Sequence, residues 1–208
     1  MRNYLLVSLC LIAFLSCLAG EDITINEVYY TTRTSSNDAQ WLEIYNSTSS
    51  DIDISGWKIS TSKNLSNAFL IPAGTVVNSK SFLIFAANID VMASLWGLTK
   101  NLIEYGDALA FSETGDNIHL FNNTNNEVDA VWFGNGGEMG STNAAHTVSF
   151  GMSLARNPDG KDSDNPSLDF SERFPTPGQS NTFTGFTQST WGKIKAIYSI
   201  YRKLLLGC

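Results

Sequence analysis

The sequence predicts an all-β fold, an antiparallel β-sandwich, on two observations. Short segments that are apolar, or that alternate between apolar and polar residues, recur between residues 23 and 133, and polar turn-forming residues separate them. Charged residues make up only 16% of the chain, so its polar surface must come mainly from abundant Asn, Ser, Thr and Gly. Regularly spaced short strands joined by polar turns are typical of sandwiches. We therefore expect two packed sheets around the apolar core of a single domain.

The individual strands are predicted from local pattern. In residues 42–44 and 52–54, apolar and polar side chains alternate, which is the pattern of a strand with one buried face. Residues 81–86 are almost entirely apolar, which suits a strand that is buried on both faces. Pro72 ends the strand before it, because proline has no N–H to donate to a neighbouring strand. The predicted strands are 23–30, 41–46, 52–61, 68–71, 76–77, 81–86, 108–111, 117–121 and 127–133.

The remaining segments of this region predict a helix, turns and a loop. Residues 91–97 place apolar side chains at helical spacing, and we expect one or two helical turns that cover an edge of the sandwich. Residues 113–116 predict a hairpin turn, and residues 122–126 predict another polar turn. Residues 135–145 form a long loop rich in Gly, Asn and Ser.

Several motifs, in order along the chain, resemble the lamin tail domain family in its bacterial, secreted form. They are INEV at 25–28, WLEIYN at 41–46, DISGW at 53–57, IPAGT at 71–75, GDNIHL at 115–120, VDAV at 128–131, SLARNPDG at 153–160, DF at 169–170 and PTPGQSN at 175–181. The resemblance implies an immunoglobulin-like sandwich from about Asp22 to Asn181, of a kind that serves as an interaction domain, alone or attached to secreted enzymes. One departure is Gln40, where the family usually has an acidic residue.

The first 20 residues predict a secretory signal peptide. A positively charged start is followed by an almost unbroken apolar run at residues 5–18 and then by small residues. The run is shorter than the roughly 20 residues that a membrane span needs. Cleavage after Ala19 or Gly20 is one expectation. The other is lipidation of Cys17, because FLSC at 14–17 loosely resembles a bacterial lipobox. We therefore expect a secreted or cell-surface protein, with a periplasmic or outer-membrane lipoprotein as the alternative.

Cysteine usage and net charge limit the class of protein further. The three cysteines are Cys10 and Cys17 in the leader and Cys208 at the last position, so the predicted domain at 21–181 has no internal disulfide and depends on an apolar core. Cys208 is either a free thiol or pairs with another chain. The net charge of −7 disfavours nucleic acid as a partner.

No catalytic constellation is visible in the sequence, and no organic cofactor is expected. His119 and His146 have no His or Cys at ligand spacing, so we interpret them as ordinary strand residues, with His119 on an outer face. Glu27 and Glu43 could form an acid–base pair if their separation were roughly 5–9 Å. Because both lie within family motifs, we interpret them as hydrogen-bond acceptors for loop backbone and turn residues.

An Asp-rich turn late in the chain is the candidate for a bound ion. Asp159, Asp162 and Asp164 supply hard oxygen ligands of the kind that calcium prefers, and Asn157 and Asn165 lie beside them. The spacing is not that of an EF-hand loop, because no glutamate follows at the closing position. The alternative interpretation is a plain Asp-Gly turn.

The C-terminal segment differs in composition from the rest of the chain. Residues 182–190 read as a polar linker, and residues 191–208 place apolar side chains at three- and four-residue steps, which predicts a helix. This helix is basic in an otherwise acidic chain, and its cations are Lys193, Lys195, Arg202 and Lys203. It either packs on the sandwich or attaches the protein to an anionic membrane surface or a partner.

These features favour a non-enzymatic, exported module that binds or scaffolds at the cell surface or in the extracellular space. The expected partner is a protein or a polysaccharide, and membrane contact would come through a lipid on Cys17 or through the C-terminal helix. The alternative is a calcium- or metal-dependent hydrolase, or a calcium-stabilised adhesin, that uses the Asp-rich turn.

Overall fold

The structure, a computed structural model, describes residues 23–32, 37–140 and 142–182, and these residues are mostly in strands, turns and loops. The strands are β1 (Ile23–Tyr29), β2 (Trp41–Asn46), β3 (Ile52–Asp53), β4 (Lys58–Ser60), β5 (Phe69–Leu70), β6 (Val76–Val77), β7 (Phe82–Ala86), β8 (Leu102–Glu104), β9 (Gly115–Phe121), β10 (Glu127–Gly134), β11 (Ser153–Arg156) and β12 (Phe170–Arg173). The α-helices are α1 (Ile89–Trp96) and α2 (Pro166–Asp169).

The strands form two main sheets. Sheet I has six strands in the order β12-β11-β1-β2-β7-β8, and sheet II has four in the order β10-β9-β4-β5. Strands β3 and β6 form a separate ribbon. Neighbouring strands are antiparallel, apart from the parallel pair β7 and β8. The predicted all-β sandwich is therefore confirmed.

The main core lies between the two sheets, where alternation along the strands predicts it. Leu42 and Ile44 of β2 are fully buried in this core, and so are Ile118 and Leu120 of β9. Leu83 and Phe85 of β7 face the same core. The apolar side chains of both sheets thus fill one shared interior, which a chain without internal disulfides needs for stability.

Sheet I is also buried on its other face, which differs from the single buried face predicted for β2. Trp41 and Tyr29 stack there with ring centroids 5.9 Å apart, and Ile84 and Met92 pack beside them. Met92 belongs to α1, which lies over this face. The β2 alternation identifies which residues share a face, but it does not show that a helix will cover the second face.

Helix α1 has well-defined signals at both ends. The Oδ1 atom of Asn88 accepts hydrogen bonds from the N–H groups of Asp90 and Val91, which satisfies donors at the helix start. Gly97 ends the helix with a left-handed φ of 68°, a conformation that glycine adopts at little cost. The predicted helix at 91–97 is confirmed and begins two residues earlier.

Two of the predicted strands differ in the structure. The predicted strand at 52–61 is divided into β3 and β4 by a turn at Gly56, which has a φ of 73°. Residues 108–111 are not a strand, because the Gln40 side chain satisfies both backbone groups of Phe111: Oε1 accepts from its N–H at 2.9 Å and Nε2 donates to its carbonyl at 2.8 Å. The side chain of Gln40, the residue that departs from the family pattern, therefore takes the place that a neighbouring strand would have beside Phe111.

Candidate functional site

A pair of buried glutamates lies on the outer face of sheet I. Glu27 of β1 and Glu43 of β2 are register partners, and neither side chain is exposed to solvent. They are placed together because a β-bulge at Asn26 shifts the register of β1 between Ile25 and Glu27. Residues 174–182, which we call the strap, lie over both carboxylates and donate hydrogen bonds to them.

The Glu27 carboxylate accepts hydrogen bonds from Ser153 and Thr176 of the same domain. The Ser153 hydroxyl donates to Oε1 at 2.5 Å, and the Thr176 N–H donates to the same oxygen at 3.0 Å. The Thr176 hydroxyl donates to Oε2 at 2.9 Å. Glu27 therefore joins β1 to β11 and to the strap.

Glu43 is held in the same manner by neutral donors. The Asn26 amide donates to Oε1 at 3.1 Å, and the Gly178 N–H donates to Oε2 at 2.6 Å. Gly178 has a left-handed φ of 75°, a backbone conformation that favours glycine. This glycine lets the strap turn its N–H towards the sheet.

Asp159 is the third carboxylate beneath the strap. Its Oδ1 accepts from the Asn26 amide at 3.1 Å and from the Asn181 N–H at 2.8 Å, and the Ser180 hydroxyl donates to Oδ2. The Asn26 amide thus bridges Asp159 and Glu43. The turn that carries Asp159 is fixed by Gly160, whose N–H donates to Asn26 Oδ1 at 3.1 Å.

The protonation of the glutamate pair is displaced from its ordinary range. Burial raises the pKa of Glu27 from 4.5 to about 7, against the opposing effect of its hydrogen bonds. Burial also raises the pKa of Glu43 well above 4.5, and the charge of Glu27 adds to that effect. Within the described residues, no ion pair balances either carboxylate.

A second buried polar cluster is centred on Arg156 of β11. Its guanidinium lies 2.9 Å from Asp129 of β10, 3.1 Å from Asp162 and 3.5 Å from Asp169, and only 1% of the side chain is exposed. It also donates to the backbone carbonyl of Ile25 at 2.7 Å. Burial raises the pKa of Asp129 to about 6, although the charge of Arg156 opposes this shift. The cluster joins the two sheets and is missed by sequence reasoning, because no local pattern marks Arg156 as buried.

The structure gives the three aspartates of the predicted calcium site different partners. Asp159 faces the strap and Asp162 faces Arg156, while Asp164 is exposed with a φ of 53°. In the described part of the chain, no group of three or more His, Cys, Asp or Glu side chains has the arrangement to hold a metal ion. The calcium site at Asp159, Asp162 and Asp164 stays a prediction.

Neither histidine belongs to sheet I, which carries the glutamate pair. His119 is turned away from the main core, as predicted, yet it is fully buried; its Nδ1 lies 2.7 Å from Oε2 of Glu127. His146 is exposed in an irregular segment, so its prediction as a strand residue is wrong. The neighbouring Ala145 makes only an isolated bridge to Phe133, and the chain then leaves the sheet.

Several predicted features fall outside the described residues. They are the leader at 1–20 with Cys17, nearly all of the linker at 182–190, and the helix at 191–208 with Lys193, Lys195, Arg202 and Lys203. They stay predictions. Within the described ranges, no helix has the length and apolar character needed to cross a membrane.

Comparison with known proteins agrees with the fold. The Lamin Tail Domain family model matches residues 18–135, more than half of the chain. A crystal structure of a DUF4876 family protein from Bacteroides thetaiotaomicron superposes with a TM-score of 0.50 at 13% identity, covering 75% of this chain and 72% of that one. At this identity the likeness concerns the fold alone. A search among curated proteins finds no match.

The matched region contains the earlier of the motifs read from the sequence, and the later ones lie beyond it. Strands β1, β2 and β9, which carry the INEV, WLEIYN and GDNIHL motifs, lie inside the matched region. Strands β11 and β12 and the strap lie beyond residue 135 but complete sheet I and its cover. The chain therefore belongs to the lamin tail domain family.

Proposed function

We propose that the protein is an exported, non-catalytic module that binds or scaffolds a protein or polysaccharide at the cell surface or in the extracellular space. The apolar leader at residues 5–18 supports export. The net charge of −7 supports a partner other than nucleic acid. Membership of the family supports a β-sandwich that presents its loops and edges from a rigid frame.

The observation that carries this proposal is that the buried carboxylates accept hydrogen bonds from their own domain. Glu27 and Glu43 are fully buried, and burial of this kind would suit acid–base chemistry, while Asp159 beside them is partly buried. All three instead accept hydrogen bonds from Ser, Thr, Asn and backbone N–H donors of their own domain. The fully buried Glu27 and Glu43 therefore have no open side for a substrate. The arrangement therefore suits a module whose polar interior holds its segments together.

Attachment of the protein to the cell envelope is tested by comparing the full chain with a shortened chain that ends at Thr182. The shortened chain keeps the strap, because Asn181 and its contacts remain. We expect the exported full chain to sediment with cell envelopes and the shortened chain to be released. The physical reason is the loss of four cations, at Lys193, Lys195, Arg202 and Lys203, that favour anionic surfaces.

Two outcomes of this comparison distinguish the candidate anchors, which are the C-terminal segment and a lipid on Cys17. If both chains sediment equally, the C-terminal segment is not the anchor, and the mass of the mature protein then shows whether Cys17 carries a lipid. If neither chain sediments and labelled protein shows no saturable binding to intact cells, the surface-binding proposal fails.

The calcium-dependent alternative is tested by titration calorimetry of the full chain with calcium. We expect no saturable heat and no change in melting temperature, because Asp162 is held by Arg156 and Asp159 by Asn26 and Asn181. Saturable heat that disappears in Asp164→Asn would contradict this expectation. Glu113→Gln is a matched control, since this exposed carboxylate lies in a different turn.

A further inference from the structure

We propose that Asn181 is a mechanical anchor: it holds the strap closed against sheet I when residues 183–208 are pulled. This inference rests on the proposed attachment of the protein through that C-terminal segment. A protein that is attached to the cell envelope by one end, and that binds a partner through its sandwich, carries tension along the chain between the two. This tension reaches the strap first, because residues 183–208 follow the strap directly.

Asn181 is bonded inside the domain through its N–H and through both polar atoms of its side chain. Its N–H donates to Oδ1 of Asp159 at 2.8 Å. Its side-chain amide donates to the backbone carbonyls of Asn26 and Arg156, each at 3.1 Å. Its Oδ1 accepts from the Thr176 hydroxyl at 2.8 Å. Only 2% of the residue is exposed, so water does not replace these bonds readily.

The partners of Asn181 belong to different parts of sheet I. Asn26 lies in β1, Arg156 lies in β11, and Asp159 lies in the turn that follows β11. Strands β1 and β11 are neighbours within the sheet, and the Arg156 side chain is itself paired with Asp129 of sheet II. A pull on the chain after Asn181 therefore loads three hydrogen bonds together, against a base that is fixed to both sheets.

The remainder of the strap is attached one residue at a time. Gly178 donates its N–H to Glu43, and Thr176 donates its N–H and its hydroxyl to Glu27. Pro177, between them, has no N–H to donate. The strap lies outside the strands, so no ladder of backbone hydrogen bonds joins it to the sheet. Once Asn181 is released, tension reaches these residues in turn and the strap peels away from the sheet.

The first strand lies on the same load path. Strand β1 begins at Ile23, and the carbonyl of Asn26 in this strand accepts directly from the side chain of Asn181. Tension between the two ends of the domain thus passes from β1 to the strap at this contact. While the contact holds, the other strands of the sandwich carry little of the load.

Single-molecule force spectroscopy of the purified mature chain tests the anchor. One handle is attached at the N-terminus and the other at Cys208, the one cysteine outside the predicted leader. We expect a first step of at most about 30 Å, because the nine residues of the strap span about 3.3–3.6 Å each when extended. Unfolding of the sandwich should follow as a separate and longer step at higher force.

Substitutions identify the residue responsible. Asn181→Ala removes the amide donor and the side-chain acceptor, so the first step should be lost while the force of the main step stays the same. Asn123→Ala is the matched control, since this exposed asparagine lies in the turn between β9 and β10 and should leave both steps unchanged.

A milder variant keeps the test decisive if Asn181→Ala does not fold. Thr176→Val removes the hydroxyl that donates to Oδ1 of Asn181 and leaves the three bonds from Asn181 to sheet I and the Asp159 turn in place. We expect its first step to occur at a lower force than in the unmodified protein.

The anchor is refuted if the unmodified protein extends in a single step, or if the first step is the same in Asn181→Ala or, where that variant does not fold, in Thr176→Val. The measurement uses purified protein, so it is independent of attachment to the cell. A full chain that does not sediment with envelopes contradicts the attachment, whereas a chain without the first step contradicts the anchor.

Discussion

Replacement of Arg156 by alanine is expected to lower the free energy of unfolding by about 3–5 kcal/mol, the usual loss when one partner of a buried ion pair is removed. The change would leave the Asp129 carboxylate buried without its cation, where it is now 2.9 Å from the guanidinium. It would also remove the donor that binds the Ile25 carbonyl. Urea denaturation at neutral pH measures the loss.

Two further variants define what the guanidinium does. Arg156→Lys keeps the charge, but a single ammonium cannot span Asp129 and the two backbone carbonyls of Ile25 and Lys161, so we expect an intermediate loss. Arg173→Ala changes an arginine at the end of β12 and should alter stability by no more than about 0.5 kcal/mol. An Arg156→Ala protein as stable as the Arg173→Ala protein would show that the buried cluster contributes nothing.

Replacement of Trp41 by alanine is expected to cost about 3–5 kcal/mol, because it removes a large, fully buried side chain and leaves a cavity. Trp41 stacks on Tyr29 at 5.9 Å and meets Trp96 edge to face at 6.1 Å. Since Trp96 belongs to α1, we also expect the α1 amides to lose protection from hydrogen exchange. The unfolding midpoint and the exchange pattern measure the two effects separately.

Trp132→Ala is the matched control for this change. Trp132 is a partly buried residue of β10, and its indole donates to the Thr142 carbonyl at 2.8 Å. Its loss should be well below that of Trp41→Ala and should leave α1 unaffected. Equal losses in the two variants would contradict the role given to Trp41 in packing α1 against sheet I.

The candidate site could be predicted only in part. The interpretation of Glu27 and Glu43 as acceptors for loop and turn donors agrees with their contacts to Thr176 and Gly178. The burial of both carboxylates was not predictable, because the alternation around Glu43 is also the pattern of a strand with a solvated face. Arg156 had no signal at all, since an arginine in a short strand is usually exposed.

The sequence by itself determined most of the strands between residues 23 and 133, the family and the positions of most turns. These follow from local causes: the two-residue period of a strand assigns Leu42 and Ile44 to one face, and glycines such as Gly97 supply left-handed backbone. Only the tertiary structure decided that Glu27 meets Thr176, 149 positions later in the chain. Such contacts depend on a bulge, a strand order and a covering segment that act together. No local pattern encodes them, and they decide which carboxylates are enclosed and how they titrate.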